Sequence, residues 1–118
     1  MNKTAQALSA REAKKFHTTV AKLLYLAKRT RMDILLTIAF LSTRVQSPNA
    51  EDAAKLERLL KYLNGTRDFV LVLKPSDGKV PLAGYIDASF GCHWDGKGHS
   101  GLVITLYGCT VLCMSSKQ

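Results

Sequence analysis

Carboxylates that could hold a catalytic metal ion are sparse in the second half of the chain. Asp87 follows the stretch Leu-Ala-Gly-Tyr-Ile at residues 82–86, which predicts a strand that ends in an acid. The one acid after it in the sequence is Asp95, in a glycine-rich stretch typical of a loop. One strand carboxylate and one loop carboxylate do not make a two-metal site, which needs clustered carboxylates. From the residues alone, Asp87 is interpreted as a strand-end acid that a backbone amide satisfies.

Soft metal ligands form no recognisable site either. Cys92, His93 and His99 have the spacing Cys-His-x5-His, which is not a usual structural zinc pattern. Cys109 and Cys113 flank a predicted turn between strands and are interpreted as small apolar fillers. The odd count of three cysteines argues against a disulfide framework and favours a reducing compartment.

A stripe of cationic residues is predicted on the first helix. At about 100° per residue, four basic side chains fall within about 40° of one another, roughly opposite the apolar face. They are Arg11, Lys15, Lys22 and Arg29. Glu12 is the one acid close to them in sequence, Arg31 continues the basic run, and Tyr25 lies beside the stripe. Unpaired cations of this kind could contact nucleic-acid phosphates, with Tyr25 packing on a sugar or base; the alternative is a solvated basic surface.

The net charge of +8 is confined to the first part of the chain. Residues 1–67 contain 13 basic and 5 acidic residues, whereas residues 68–118 contain four of each. A one-sided excess of this kind favours a polyanionic partner. Lys55 and Lys61 each follow a glutamate by four residues, so they are predicted to be ion-paired charges on a solvated helix face.

Residues 1–67 show helical periodicity. A Ser-x-x-Glu capping box at residues 9–12 begins the first helix, and Asp33 is the predicted N-cap of the second. Asn49 is the predicted N-cap of a third helix, which ends at the Asn-Gly pair of residues 64–65. The predicted helical core consists of Leu23, Leu24, Leu35, Ile38, Leu41, Leu56, Leu60 and Leu63.

Residues 68–118 have the pattern of a small sheet. An apolar run at residues 69–73 and a turn signal at residues 75–78 come first, so the sheet is predicted to span residues from about 69 to 115. Three further runs with short connections predict an antiparallel meander, at residues 82–87, 101–107 and 110–114. The predicted fold class is α+β, with a basic three-helix segment at residues 1–67 followed by this meander.

The composition restricts the broad class of protein. The chain has 118 residues, of which 47% are hydrophobic and 22% charged, so it is expected to fold as one ordinary domain or two small half-domains. Its apolar runs are too short to cross a bilayer, and its first residues lack the apolar segment of a secretory signal. A protein that is neither secreted nor bound to a membrane is therefore expected.

Two blocks in the helical part resemble a known family. Tyr-Leu-Ala-Lys-Arg-Thr-Arg-Met-Asp-Ile at residues 25–34 resembles the Tyr-Leu-x-x-x-Thr-Arg-Pro-Asp-Ile signature of copia-type retrotransposon polyproteins. Arg-Leu-Leu-Lys-Tyr-Leu-Asn-Gly-Thr at residues 58–66 resembles the next block of that family. Met32 stands where the family usually has proline, so the break between the first two helices is expected to depend on Asp33.

Two further blocks follow in the order and at the spacing of the family. Gly-Tyr-Ile-Asp-Ala-Ser-Phe at residues 84–90 resembles Gly-Tyr-x-Asp-Ala-x-Phe/Trp. Residues 100–101 and 115–118 resemble a hairpin that ends in Ser-x-Lys-Gln. The resemblance covers about residues 14–118, and the order of four weak blocks carries it.

The resemblance implies a thumb-like helical region at residues 1–67 and the start of a ribonuclease H domain at residues 68–118. Asp87 matches the first ribonuclease H carboxylate and would be a catalytic and metal-binding residue only in an intact domain. The intact parent would use Mg²⁺ or Mn²⁺, whereas the fragment would need no cofactor. The family's next acid lies beyond the Ser-x-Lys-Gln motif, and the chain has no adjacent pair of aspartates as in the polymerase motif. The chain alone is therefore expected to be inactive.

The same resemblance implies the partners and the location of the protein. An RNA–DNA hybrid or other nucleic acid and the remainder of the Pol polyprotein are the expected partners, in the cytoplasm, in a virus-like particle or in the nucleus. Self-association is also expected, because a sheet without its covering helix exposes an apolar face and open edges. The alternative functions are a small basic nucleic-acid-binding protein and a helical interaction module, both without catalysis.

Overall fold

Three α-helices precede a three-stranded antiparallel sheet along the chain, so the predicted α+β fold class is confirmed. The computed structural model describes residues 6–73 and 82–118. The chain divides into two compact units, Met1–Phe69 and Val70–Gln118, called here the helical unit and the β unit. The turn predicted at residues 75–78 lies outside the described residues.

Helix α1, Ala10–Arg29, begins at the predicted capping box. The Ser9 hydroxyl accepts a hydrogen bond from the Glu12 amide, and the Glu12 carboxylate accepts one from the Ser9 amide. The buried face of the helix consists of Phe16, Val20, Leu23 and Ala27, at spacings of three and four residues. The opposite face is charged, and no helix among the described residues combines the length and hydropathy needed to cross a bilayer.

The second helix does not begin with an aspartate cap. A single turn of 3-10 helix, Met32–Ile34, leads into α2, Leu35–Ser42, and no side chain caps this start. The prediction that Asp33 caps the helix is therefore wrong. Both carboxylate oxygens of Asp33 instead accept hydrogen bonds from other side chains, namely Arg31 and Tyr62.

Helix α3, Ala50–Gly65, begins with the predicted Asn49 cap, which forms a reciprocal capping box with Asp52. Asp52 is only 1% exposed, and the guanidinium of Arg44 donates to its carboxylate at 3.1 Å. Leu59 is buried on this helix, whereas the predicted core residue Leu60 is 43% exposed. The helix is therefore rotated so that its buried face runs along the side that carries the capping acid.

The core of the helical unit combines residues from all three helices and the 3-10 turn. Its buried members are Phe16, Val20, Leu23, Ala27, Ile34, Leu35, Ile38, Leu41, Leu56 and Leu59. Five of the eight predicted core residues are among them, while Leu24 and Leu63 are only half-buried. Apolar residues cover most of the circumference of α2, yet Leu36 on this helix is 67% exposed. The core is therefore formed where the buried faces of the three helices meet.

The sheet is the predicted antiparallel meander in the order β1, β2, β3. Its strands are β1 at Leu82–Ser89, β2 at His99–Leu106 and β3 at Cys109–Lys117. Tyr107 and Gly108 join β2 to β3 and both have positive φ, 49° and 77°. Positive φ at both central residues matches the right-handed twist of a two-residue hairpin. Residues 70–73 form no strand, so the prediction that the sheet begins near residue 69 is wrong.

The strand register places most of the large apolar side chains of the β unit on one face of the sheet. Because the pairing places Ile86 opposite Leu102 and Ile104 opposite Leu112, these side chains point the same way. This apolar face consists of Leu82, Ile86, Leu102, Ile104, Leu106, Leu112 and Met114. Val103 lies on the other face, and Val111 is the extra residue of a bulge in β3.

Candidate nucleic-acid interface

The four cations of the predicted stripe are all exposed on α1. They are Arg11, Lys15, Lys22 and Arg29. None of them forms an ion pair with another described residue, whereas Arg31, Arg44, Lys61 and Lys117 do. The buried residues of α1 occupy its other side, so the stripe cations share one solvent-facing surface. Unpaired positive charge in a row is the arrangement that the phosphates of a nucleic acid attract.

Glu12, the acid nearest the stripe, is occupied by the start of the helix. Its carboxylate accepts hydrogen bonds from the amide of Ser9 at 3.0 Å and from the hydroxyl of Ser9 at 2.5 Å. These hydrogen bonds to Ser9 hold the pKa of Glu12 below its ordinary value, so the carboxylate stays ionised as a cap. Glu12 therefore stabilises the helix start and forms no ion pair with Arg11 or Lys15.

Tyr25 provides an aromatic surface next to the stripe. Its ring is 69% exposed, and the guanidinium carbon of Arg29 lies 5.4 Å from the ring centroid. A cation over the face of an aromatic ring is attracted to it. Lys14 and Lys28 are also exposed and lie on the Tyr25 side of the stripe. Neither lysine was predicted from the sequence as part of this surface, although the same rotation of about 100° per residue places them there.

Arg31 differs from the other predicted phosphate-binding residues because it is buried. Its side chain is 9% exposed and forms a two-point pair with Asp33, through Nε at 3.0 Å and Nη2 at 2.8 Å. Nη1 donates to the backbone carbonyl of Thr66, and Nη2 also donates to the Thr66 hydroxyl. This placement does not fit contact with a bound phosphate. Arg31 instead joins the connection between α1 and α2 to the end of α3.

The surroundings of Arg31 and Asp33 reinforce this junction. The hydroxyl of Tyr62 donates to Asp33 at 2.9 Å, and the Arg31 guanidinium lies 5.6 and 5.7 Å from the ring centroids of Tyr62 and Phe69. The hydrogen bonds from Arg31 and Tyr62 lower the pKa of Asp33, while the carboxylate raises the pKa of Arg31. Both groups therefore remain charged at neutral pH as a planar, hydrogen-bonded pair.

Asp87 lies exposed on β1, opposite Gly101 of β2. It precedes the end of the strand by two residues, and one carboxylate oxygen accepts a hydrogen bond from the amide of Ala88 at 2.9 Å. Asp95 is held elsewhere, in an ion pair with Lys117 at 2.6 Å that lowers the pKa of Asp95. Within residues 6–73 and 82–118, no three acids, histidines or cysteines converge on a point where a metal ion could bind. The side chains that the structure describes do not fit a two-metal centre.

The histidines of the β unit contact each other. His93 Nε2 and His99 Nδ1 lie 3.0 Å apart, and His99 Nε2 lies 2.6 Å from the hydroxyl of Ser115. Cys92 accepts a hydrogen bond from the Ser89 hydroxyl at 3.3 Å, and the described residues include no group of three or more histidines, cysteines or acids that could hold a metal ion. The three residues with possible zinc ligands therefore do not come together as a cluster.

The residues of the Ser-x-Lys-Gln motif connect β3 to the loop between β1 and β2. Besides the bond between Ser115 and His99, Lys117 pairs with Asp95 and lies 5.6 Å from the ring centroid of Trp94. The Gln118 amide nitrogen donates to the Ser100 hydroxyl at 2.6 Å. This part of the motif has a structural role in the β unit, which the sequence pattern did not reveal.

Comparison with known proteins gives a relative that matches most of the chain. A Saccharomyces cerevisiae protein described as a transposon Ty5-1 protein is 31% identical over 103 residues, which is 87% of this chain. This chain is related to a retrotransposon protein. It spans about a third, 33%, of the length of that relative. No protein-family model matches the chain, and no solved structure matches it.

Proposed function

We propose that the chain is part of a copia-type reverse transcriptase and ribonuclease H polyprotein. In this proposal the helical unit is a thumb-like region that binds the template–primer, and the β unit is the start of the ribonuclease H domain. The relationship to a retrotransposon protein supports the class, and the four family blocks in the sequence support the assignment to this region. The partners are an RNA–DNA hybrid and the rest of the polyprotein.

The unpaired cationic surface of α1 carries the binding part of the proposal. Lys15, Lys22 and Arg29 are exposed, have no ion-pair partner among the described residues and share one helix face with Tyr25. Phosphate contacts from such a face hold a duplex without reading its sequence. Arg31, which is buried in the pair with Asp33, is not part of this proposed surface.

Catalysis is assigned to the larger protein and not to this chain. Asp87 would be the first carboxylate of a site whose other acids come from elsewhere. The 118 residues are expected to leave the RNA of a hybrid intact in Mg²⁺ or Mn²⁺ and to extend no primer. Cleavage by the chain that disappears in Asp87→Asn would contradict this assignment.

The binding surface can be tested with two variants that remove equal charge. Lys15→Gln with Lys22→Gln alters the α1 surface, whereas Lys61→Gln with Lys97→Gln removes two exposed lysines that do not belong to α1. Affinity for an RNA–DNA hybrid is measured against salt concentration. Each phosphate contact that is lost should reduce the slope of log affinity against log salt by about 1, so the α1 variant should lose about 2.

The control variant should keep a steeper slope and a higher affinity than the α1 variant. Equal losses in both variants would mean that hybrid binding reflects net charge alone, and the assignment to the α1 surface would fail. Binding that does not change over the salt range would exclude a phosphate-based interface altogether.

A further inference from the structure

A cavity of about 460 Å³ lies between α2 and α3, away from the cations of α1. This volume is within the range of about 300–1,000 Å³ that is usual for small-ligand sites. Ile34 and Leu59 line it, and both belong to the buried core, with exposures of 1% and 6%. These two residues close the bottom of the cavity from the core, and the large apolar side chain that is exposed in its lining is Tyr62, at 42%.

One wall of the cavity is held rigidly by the pair described above. Tyr62 lines the cavity, and its hydroxyl is fixed on Asp33, which also lines it. The carboxylate of Asp33 is neutralised by Arg31, so the wall adds little negative charge to the cavity. An exposed aromatic side chain with a fixed orientation is suited to a flat, aromatic ligand.

Two cations at the rim have no acidic partner. Lys55 and Arg58 line the cavity and lie three residues apart on α3, so their side chains are neighbours on the helix surface. The predicted pair between Lys55 and Glu51 does not form; the Lys55 ammonium lies 4.8 Å from the ring centroid of Phe40 instead. Arg58 forms no ion pair or hydrogen bond with a described residue. Two adjacent like charges are unfavourable unless an anion lies between them.

We propose that this cavity binds a nucleotide, with the base against the ring of Tyr62 and the phosphate between Lys55 and Arg58. Thr37, which is exposed and lines the cavity, provides a hydroxyl for the polar edge of the base. The arrangement recognises a base and a phosphate together, because the Tyr62 ring and the two cations line one cavity. The nucleotide could be free or an unpaired residue of a strand, since both have this chemistry.

The test is an NMR titration of the full chain with adenosine monophosphate, adenosine and inorganic phosphate. The nucleotide is expected to shift the amide signals of Thr37, Leu59 and Tyr62 and to bind at least about tenfold more tightly than either half. Inorganic phosphate that binds as tightly as the nucleotide would overturn the proposal. So would nucleotide binding that shifts only the signals of α1.

Arg58→Gln should weaken nucleotide binding about tenfold, because a charge-assisted bond to the phosphate is lost. Lys61→Gln is the matched control, since it removes a cation from the same helix that is 75% exposed and paired with Glu57. The control should bind the nucleotide as the unmodified chain does. Equal affinity of Arg58→Gln and the unmodified chain would overturn the proposal.

A short single-stranded oligonucleotide distinguishes the two sources of the ligand. Tighter binding of the oligonucleotide at the cavity signals would assign the site to an unpaired residue of a strand, and tighter binding of the monophosphate would assign it to the free nucleotide. The variant with Lys15→Gln and Lys22→Gln should keep its affinity for the monophosphate. This site and the proposed template–primer surface can thus fail independently.

Discussion

The helical unit and the β unit differ in where their apolar side chains lie. Every large hydrophobic residue that is buried among the described residues belongs to the helical unit. In the β unit, Ile86 is 81% exposed and Leu82 63% exposed, although its strands form regular antiparallel ladders. Regular backbone hydrogen bonding therefore does not require a hydrophobic core in this chain. The sheet has regular hydrogen bonding without a buried core, whereas the helical unit has both.

Because of this difference, the two units expose different kinds of surface to partners. In the helical unit the exposed surface is mainly charged and carries the proposed contacts with nucleic acid. In the β unit the exposed surface includes an apolar face and two edge strands, which favour association with other protein. The two units thus offer two kinds of surface within 118 residues.

Ile38→Ala and Ile86→Ala remove the same atoms from the two units and test the comparison directly. Ile38 is fully buried, so its loss should lower the free energy of unfolding of the helical unit by about 3 kcal/mol. Ile86 is mostly exposed, and its loss should cost less than about 0.5 kcal/mol. Urea unfolding at low protein concentration, followed by NMR signals from each unit, measures both values. A loss above about 2 kcal/mol for Ile86→Ala would show that its side chain is buried in solution.

The apolar face of the sheet should mediate self-association. Ile86→Lys places a charge on that face and should weaken dimer formation about tenfold, whereas Tyr85→Lys changes the opposite face and should have little effect. Size-exclusion chromatography over a range of concentrations measures the dimer, and hydrogen exchange should be faster at residues 82–115 than in the helical core. A strict monomer whose residues 100–114 exchange as slowly as that core would contradict this prediction.

The smallest expected effect is the acid sensitivity of the junction between Arg31 and Asp33. Because the folded pKa of Asp33 is lower than its ordinary value of 3.8, its contribution to stability is present above that pH and is lost as the pH falls through the folded pKa. Asp33 is partly exposed, so the contribution should be below about 1 kcal/mol. Urea unfolding between about pH 5 and 2 should show a smaller loss for Asp33→Asn than for the unmodified chain. Identical pH profiles would remove Asp33 from this role.

Local patterns were sufficient to predict several elements. The capping box at residues 9–12 begins α1, and Asn49 caps α3, both as predicted. These caps could be predicted because a cap depends on residues three positions apart. The hairpin at Tyr107 and Gly108 was also predictable, since its strands and turn adjoin in sequence. The exposure of the α1 cations followed from helical periodicity in the same way.

The candidate sites were less predictable, because the positions of their side chains depend on contacts with residues far away in sequence. Asp33, two residues after Arg31, is a local sign of an ion pair, but the burial of Arg31 depends on its contact with Thr66, which follows α3 and is 35 residues away. The cavity beside Tyr62 likewise depends on how α2 and α3 pack. Asp87 was located on a strand by its sequence, but the residues around it in space could not be inferred from one chain.

The amino-acid sequence by itself determined the α+β class, the segregation of the positive charge and the limits of most helices and strands, because each depends on composition or on neighbours within a few residues. The tertiary structure decided that Leu59 is buried in place of Leu60 and that Asp33 binds Arg31 and does not cap a helix. Helix rotation and strand register are set by the partner element. A slip of one residue moves every side chain of a strand to the other face, and a step of one residue along a helix turns its face by about 100°.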